Sequence, residues 1–137
     1  KLQSNKNQIL KGAIESNDFF DAVMMNPPFF ASEKEALGQT SRKLKNLKGE
    51  HHVKVVNNFS GLSNELWCDG GEKKFVQQYI VESEFFKRNV TWFTTLISNE
   101  KNLAGLTKLL KSKKVKSIEI IEMFQGNKKS RILAWKY

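Results

Sequence analysis

Two consecutive prolines, flanked by an amide and an aromatic ring, end the apolar run Phe19-Phe20-Asp21-Ala22-Val23-Met24-Met25; the segment that follows is Asn26-Pro27-Pro28-Phe29. Each proline fixes its own φ, lacks an N–H and restricts the residue before it to extended backbone. The Asn26 side chain and the Pro27 carbonyl are therefore presented on a stiff loop. Two acceptors held in this way can take the two N–H groups of an exocyclic amino nitrogen, so that its lone pair, normally delocalised into a base, turns towards an electrophile. The Phe29 ring offers a stacking face for a base taken out of its stack. Such a transfer needs neither a metal nor a covalent intermediate. The competing reading makes Asn-Pro-Pro a plain turn and Phe29 a core residue. Position favours chemistry, because ligands of open α/β sheets gather where strands end.

The elements that must position this loop follow from hydrophobic spacing. Ile9, Leu10, Ala13 and Ile14 predict a short amphipathic helix within Asn5–Ile14, and Phe19–Met25 reads as a buried strand stopped by the prolines. Residues 31–61 show little periodicity and read as a long surface loop, a length that is often functional. Asp69-Gly70-Gly71-Glu72 then opens a helix whose apolar face is Phe75, Val76, Tyr79, Ile80 and Phe86, with Asp69 and Glu72 giving an N-terminal capping pattern. A strand over Val90–Ile97, a helix over Asn102–Leu110 and strands over Val115–Ile121 and Ser130–Tyr137 complete the order. This alternation predicts an α/β layer with a mainly parallel sheet and an antiparallel edge made by the last two strands, joined through Gln125-Gly126-Asn127.

Composition narrows the partners. The 137 residues carry 23 Lys+Arg against 14 Asp+Glu, a formal net charge of +9. A basic domain of this size attracts polyanions, nucleic acid first among them. Arg42, Lys43, Lys45, Lys48 and Lys54, opposed only by Glu50, cluster in the loop that follows the proline motif; the first four are the preferred phosphate contacts. Lys108, Lys111, Lys113, Lys114 and Lys116 form a second basic stretch, equally consistent with a solvated face. The apolar runs are far shorter than the ~20 residues a membrane span needs, and no secretory pattern opens the chain, so a cytoplasmic protein is expected. Adjacent His51 and His52 with the single Cys68 do not make a familiar metal spacing, and nothing marks a base for a Cys68 nucleophile. Trp92 and Trp135 fall in strands and read as core; Trp67 can be core or a stacking platform.

Four separated segments carry more specific information: Asn26-Pro-Pro-Phe-Phe-Ala-Ser32, Thr40-Ser-Arg-Lys43, Glu65-Leu-Trp-Cys-Asp-Gly-Gly-Glu72, and Gln125-Gly126 through Ser130-Arg-Ile-Leu-Ala-Trp135. In this order they resemble the large-subunit (23S) ribosomal RNA adenine-N6 methyltransferases of the RlmF type, class I enzymes with an Asn-Pro-Pro-Phe motif after the fourth strand. The resemblance implies S-adenosylmethionine as methyl donor and ribosomal RNA as partner. It implies that Asn26, Pro27 and Phe29 bind and orient the target adenine, that Phe30 lines the same pocket and that Pro28 holds the loop. It sets Gln3 and Ser4, together with Asn26, beside the cofactor, and brings Lys128, Lys129 and Arg131 of the last hairpin towards RNA. Asn58-Phe-Ser-Gly61 departs from the pair of glycines usual in this family.

The glycine-rich loop and acidic strand end that anchor this cofactor in the family do not precede Asn26, and Gly70-Gly71, which follows no strand, reads as the start of a helix. The chain is thus expected to be the C-terminal half of a Rossmann-like class I sheet, a partial methyltransferase domain over residues 1–137 whose remainder lies upstream. Methylation of DNA adenine or of a protein glutamine by the same motif, and an RNA-binding fragment with no activity of its own, are the alternatives.

Overall fold

β-branched and aromatic residues build the centre of the sheet, and leucine-rich or aromatic helix faces close over it. In the computed structural model, which describes residues 5, 7–28, 30–32, 34, 67–125 and 128–137, the chain forms β1 (Phe20–Met25), α1 (Gly71–Ser83), β2 (Val90–Ile97), α2 (Leu103–Ser112), β3 (Ser117–Gln125) and β4 (Lys128–Lys136). Short 3-10 turns cover Glu84–Phe86 and Glu100–Asn102. No helix among the described residues is long and apolar enough to cross a membrane.

The strand order is β1-β2-β4-β3. β1 and β2 are parallel, with Phe20 opposite Val90 and Met25 opposite Thr95. β4 is antiparallel to both of its neighbours, pairing Phe93 with Trp135 on one side and Ile118 with Trp135 on the other. Three strands therefore run one way and β4 runs against them. The antiparallel pair of the last two strands at one side of the sheet is as expected from the sequence, with β4 on the inside and β3 outermost among the described strands. β4 pairs antiparallel with β3 on one side and with β2 on the other, so that its backbone donors and acceptors find partners on both sides.

Four positions of α1, Val76, Tyr79, Ile80 and Ser83, recur at helical spacing and are buried. They meet Phe93 of β2 and Leu133 and Trp135 of β4, while α2 adds Leu106 and Leu110 to the same cluster. Tyr79 meets Trp135 edge-on at 5.2 Å between ring centres, and Phe93 stacks on Trp135 at 5.8 Å. The Trp135 indole donates to Ser83 Oγ at 3.1 Å, which leaves no unpaired indole N–H at the centre of the core. Trp135 is thus core, as its strand position predicts.

The expected helix within Asn5–Ile14 does not form. Its backbone is a series of turns, because the N–H groups of Ile9, Leu10 and Lys11 converge on the Glu82 carboxylate of α1, at 3.0, 2.7 and 3.2 Å to one oxygen. Donors that a helix would use internally go to a charge more than seventy positions away in sequence. Leu10 and Ile14 still enter the core. β1 is fixed at its amino end by Asn89, whose side-chain amide reaches the carbonyls of Ser16 at 3.1 Å and Asp18 at 2.8 Å, and whose own carbonyl accepts the Phe20 N–H at 2.8 Å.

Candidate active site

The last paired residue of β1, Met25, lies opposite Thr95, and the proline motif begins at the next position. Asn26 is exposed, whereas Pro27 is fully buried and Pro28 is buried. An amide that faces outward on a base of packed prolines is the arrangement that orienting an amino group requires. Thr94 of β2 donates its hydroxyl to the Val23 carbonyl at 3.1 Å, tying the strand to its neighbour just before the loop. Phe29 lies outside the described residues. Phe30 is half-buried; it forms a bridge with Trp67, and its carbonyl accepts the Cys68 N–H at 3.0 Å.

The segment after the loop rests on the start of α1. Gly70 and Gly71 both have positive φ, 80° and 60°, a conformation that glycine adopts without steric penalty. A Cβ on Gly71 would come within 3.3 Å of the Ala31 backbone nitrogen, so the close approach also depends on glycine. The expected capping pattern is not used: Asp69 pairs with Lys74, and Gly70, which has no side chain, stands at the N-cap. Glu72 turns inward instead. Its carboxylate accepts the Ser98 N–H at 2.7 Å, the Asn99 N–H at 3.3 Å, the Asn102 side-chain amide at 2.8 Å and the Ser98 hydroxyl. These groups border a shallow cleft of about 200 Å³ that also takes in Ala31 and Gly71, at the end of the sheet to which Asn26 belongs. Sequence reading missed the Glu72 cluster; an acid directly after Gly-Gly is a weak signal, since a first-turn carboxylate is also ordinary helix chemistry.

The remaining candidates separate. Gln3, Ser4, Arg42, Lys43, Lys45 and Lys48 lie outside the described residues, as do His51 and His52. Lys129 is exposed, with its ammonium 5.8 Å from the centre of the Phe124 ring. Of Lys128 only the backbone position, opposite Gln125 at the start of β4, is described. Arg131 is buried, and its guanidinium is held at 2.7 Å by Glu100. From the second basic stretch, Lys113 pairs with Glu84 at 2.8 Å. Burial pushes the Cys68 thiol up from its ordinary range, and its sulfur lies 3.4 Å from the Gly71 carbonyl, so a reactive thiolate is disfavoured there. Trp67 is half-buried, and its buried indole N–H has no hydrogen-bond partner among the described residues.

What this geometry can do is bounded by its donors and acceptors. It presents Asn26 at the carboxyl end of a parallel strand on a rigid support, a place and a group suited to hold an amino nitrogen. The described residues do not provide a full cradle for a nucleotide-like cofactor: no strand–glycine loop–helix unit is found among them.

Comparison with known proteins agrees with this picture. The chain is 48% identical over 137 residues to the Ribosomal RNA large subunit methyltransferase F of Bacteroides fragilis, covering 100% of this chain and 45% of that protein. It is 46% identical over 139 residues to the protein of the same name from Pseudomonas putida, covering 44% of it. The chain thus spans less than half the length of the curated relatives it matches. Among solved structures, the hMettl16 catalytic domain in complex with MAT2A 3'UTR hairpin 1 superposes with a TM-score of 0.68 at 30% identity, over 89% of this chain and 40% of that one. The N-terminal domain of human METTL16 in complex with SAH shares the fold at 21% identity, with a TM-score of 0.61 over 94% of this chain and 38% of that one. The α/β fold, with its four-stranded, mostly parallel mixed sheet, is accordingly that of a methyltransferase domain. The sequence pattern of the RNA methyltransferase family matches residues 1–137, the whole of the chain, which therefore belongs to that family.

Proposed function

We propose that this chain is the substrate-orienting part of an enzyme that methylates the exocyclic N6 of an adenine in large-subunit ribosomal RNA. The observation that carries the reading is Asn26, exposed at the carboxyl end of β1 on two buried prolines. Asn26 Oδ1 and the Pro27 carbonyl each accept one N–H of the adenine amino group, which disfavours delocalisation of its lone pair into the ring. Phe29 stacks on the base, Phe30 lines the pocket and Pro28 keeps the loop rigid. S-adenosylmethionine, when bound, supplies the electrophilic methyl group; the family resemblance assigns Gln3 and Ser4, with Asn26, to its binding. Names of the relatives, both ribosomal RNA methyltransferases, support the substrate class.

Residues 1–137 are, in this reading, one part of a longer methyltransferase domain. β1 has a strand partner on one side only among the described residues, which suits a further strand on the other, and Phe20 and Met24, on one face of it, are exposed, which suits a layer packed over that face. Anchoring of the cofactor falls to that part. Arg42, Lys43, Lys45, Lys48, Lys128 and Lys129 contact RNA phosphates; Arg131, paired with Glu100, holds the base of the hairpin behind them. The enzyme works in the cytoplasm, where ribosomal RNA is assembled.

Asn26→Ala in the full gene product tests this directly. Single-turnover methyl transfer should fall by roughly 10²–10³, while RNA affinity stays near that of the parent, because the amide acts on the amino group and not on phosphates. An undiminished rate would remove Asn26 from the mechanism.

A further inference from the structure

The chemistry assigned to Asn26 and Pro27 depends on where their loop is held, and that loop is clamped at two points. Before it, β1 is in register with β2 up to the Met25–Thr95 pair. After it, Phe30 and Ala31 rest on Trp67, Cys68 and the Gly70–Gly71 turn that starts α1. These clamps belong to different elements, β2 and α1, and one buried side chain joins them. Glu72, 4% exposed, reaches from the first turn of α1 to Ser98 and Asn99, just past the end of β2, and on to Asn102 in the next turn.

Packing alone does not call for an ion at that position. A carboxylate removed from water is unfavourable unless each oxygen is well supplied with donors, and here two backbone N–H groups, a side-chain amide and a hydroxyl supply them. The donors fix both the distance and the rotation between the start of α1 and the carboxyl end of β2. An apolar residue could fill the volume but could not set the register.

We propose that Glu72 is a positioning residue for methyl transfer: its carboxylate locks the α1 start to the end of β2, and so fixes where Asn26 and Pro27 meet the amino group. The proposal rests on the reading that these two groups orient the substrate. Glu72 acts through the loop and does not touch the reacting atoms.

The test uses Glu72→Gln, Glu72→Asp and Asn26→Ala, alone and with Glu72→Gln combined with Asn26→Ala, in the full gene product. Glu72→Gln keeps the volume but replaces one acceptor oxygen with a donor facing donors. It should lower kcat by about 10- to 100-fold with little change in KM for RNA, since small misplacement of reacting groups costs rate more than binding. Glu72→Asp, which keeps the charge, should recover part of that loss. In the Asn26→Ala background, Glu72→Gln should lower the rate clearly less than it does alone, because only its effect through the Pro27 carbonyl remains. The proposal is overturned if Glu72→Gln turns over like the parent, if its loss multiplies in full onto that of Asn26→Ala, or if the loss disappears at temperatures well below its melting point, which would mark a purely structural acid. Parent-like turnover of Asn26→Ala would instead refute the substrate-orienting reading on which the proposal stands.

Discussion

Replacing Glu82 with glutamine isolates the interaction that overrode local helix propensity. The Glu82 carboxylate is buried and accepts the backbone N–H groups of Ile9, Leu10 and Lys11 and the Gln78 side-chain amide, the last at 3.0 Å. A hydrogen bond to a charged acceptor contributes about 1.5–3 kcal/mol and one to a neutral acceptor about 0.5–1.5, so discharging this oxygen weakens each bond by roughly 1 kcal/mol. Three backbone bonds and one amide turned to face donors give an expected loss of about 2–4 kcal/mol at neutral pH. The loss should be pH-dependent in one direction. Burial by itself would raise the Glu82 pKa, but the bonds from Gln78 and from the N–H groups of Leu10, Ile9 and Lys11 outweigh it and hold the group below its ordinary value. A lowered folded-state pKa contributes stability above the unfolded value, and that stability is lost as pH falls through the folded one. Denaturant unfolding of the parent and Glu82→Gln, run from neutral pH into acid, should therefore show two curves that converge once the parent carboxylate is protonated. A gap that stays constant into strong acid, or one within about 0.5 kcal/mol at neutral pH, would refute the reasoning.

Three further outcomes are expected. Gly105 lies in α2, and a methyl there would meet no atom within 4 Å among the described residues, so Gly105→Ala should raise unfolding free energy by about 0.5–1 kcal/mol in the same denaturation assay. Gly71→Ala should lower it by roughly 1–2 kcal/mol, since φ is +60° there and the new methyl meets Ala31; single-turnover methyl transfer should fall with it. Lys129→Ala should lower RNA affinity and reduce the slope of log affinity against log salt by about 0.7–0.9, read from titrations at several salt concentrations; an unchanged slope would make Lys129 a solvated lysine.

Much of the architecture was legible because it is locally encoded. Val90–Ile97 matches its predicted strand residue for residue, a β-branched and aromatic run. β1 stops where Pro27 makes further pairing impossible, and α1 follows its apolar spacing. The hairpin is longer than its sequence suggests: β3 runs on to Gln125 and β4 begins at Lys128, because mutual pairing carries both strands through Glu122, Gln125, Lys128 and Lys129, whose polar side chains interrupt the strand signal. Asn26, Pro27 and Pro28 stand out in sequence for the same local reason, as proline chemistry acts on adjacent residues.

Amino-acid order alone sets the stiff loop, the end of the strand that carries it, the helix faces and the basic charge; each follows from bonds and sterics within a few residues of one another. Everything else belongs to the folded chain. Folding placed β4 between β2 and β3, drew residues 9–11 out of a helix onto Glu82, paired Arg131 with Glu100, and turned Glu72 from an expected helix cap to Ser98, Asn99 and Asn102 past the end of β2. All four are matters of which buried charge or backbone donor meets which distant partner. Desolvation makes such pairings obligatory, but only the tertiary fold brings the partners within reach.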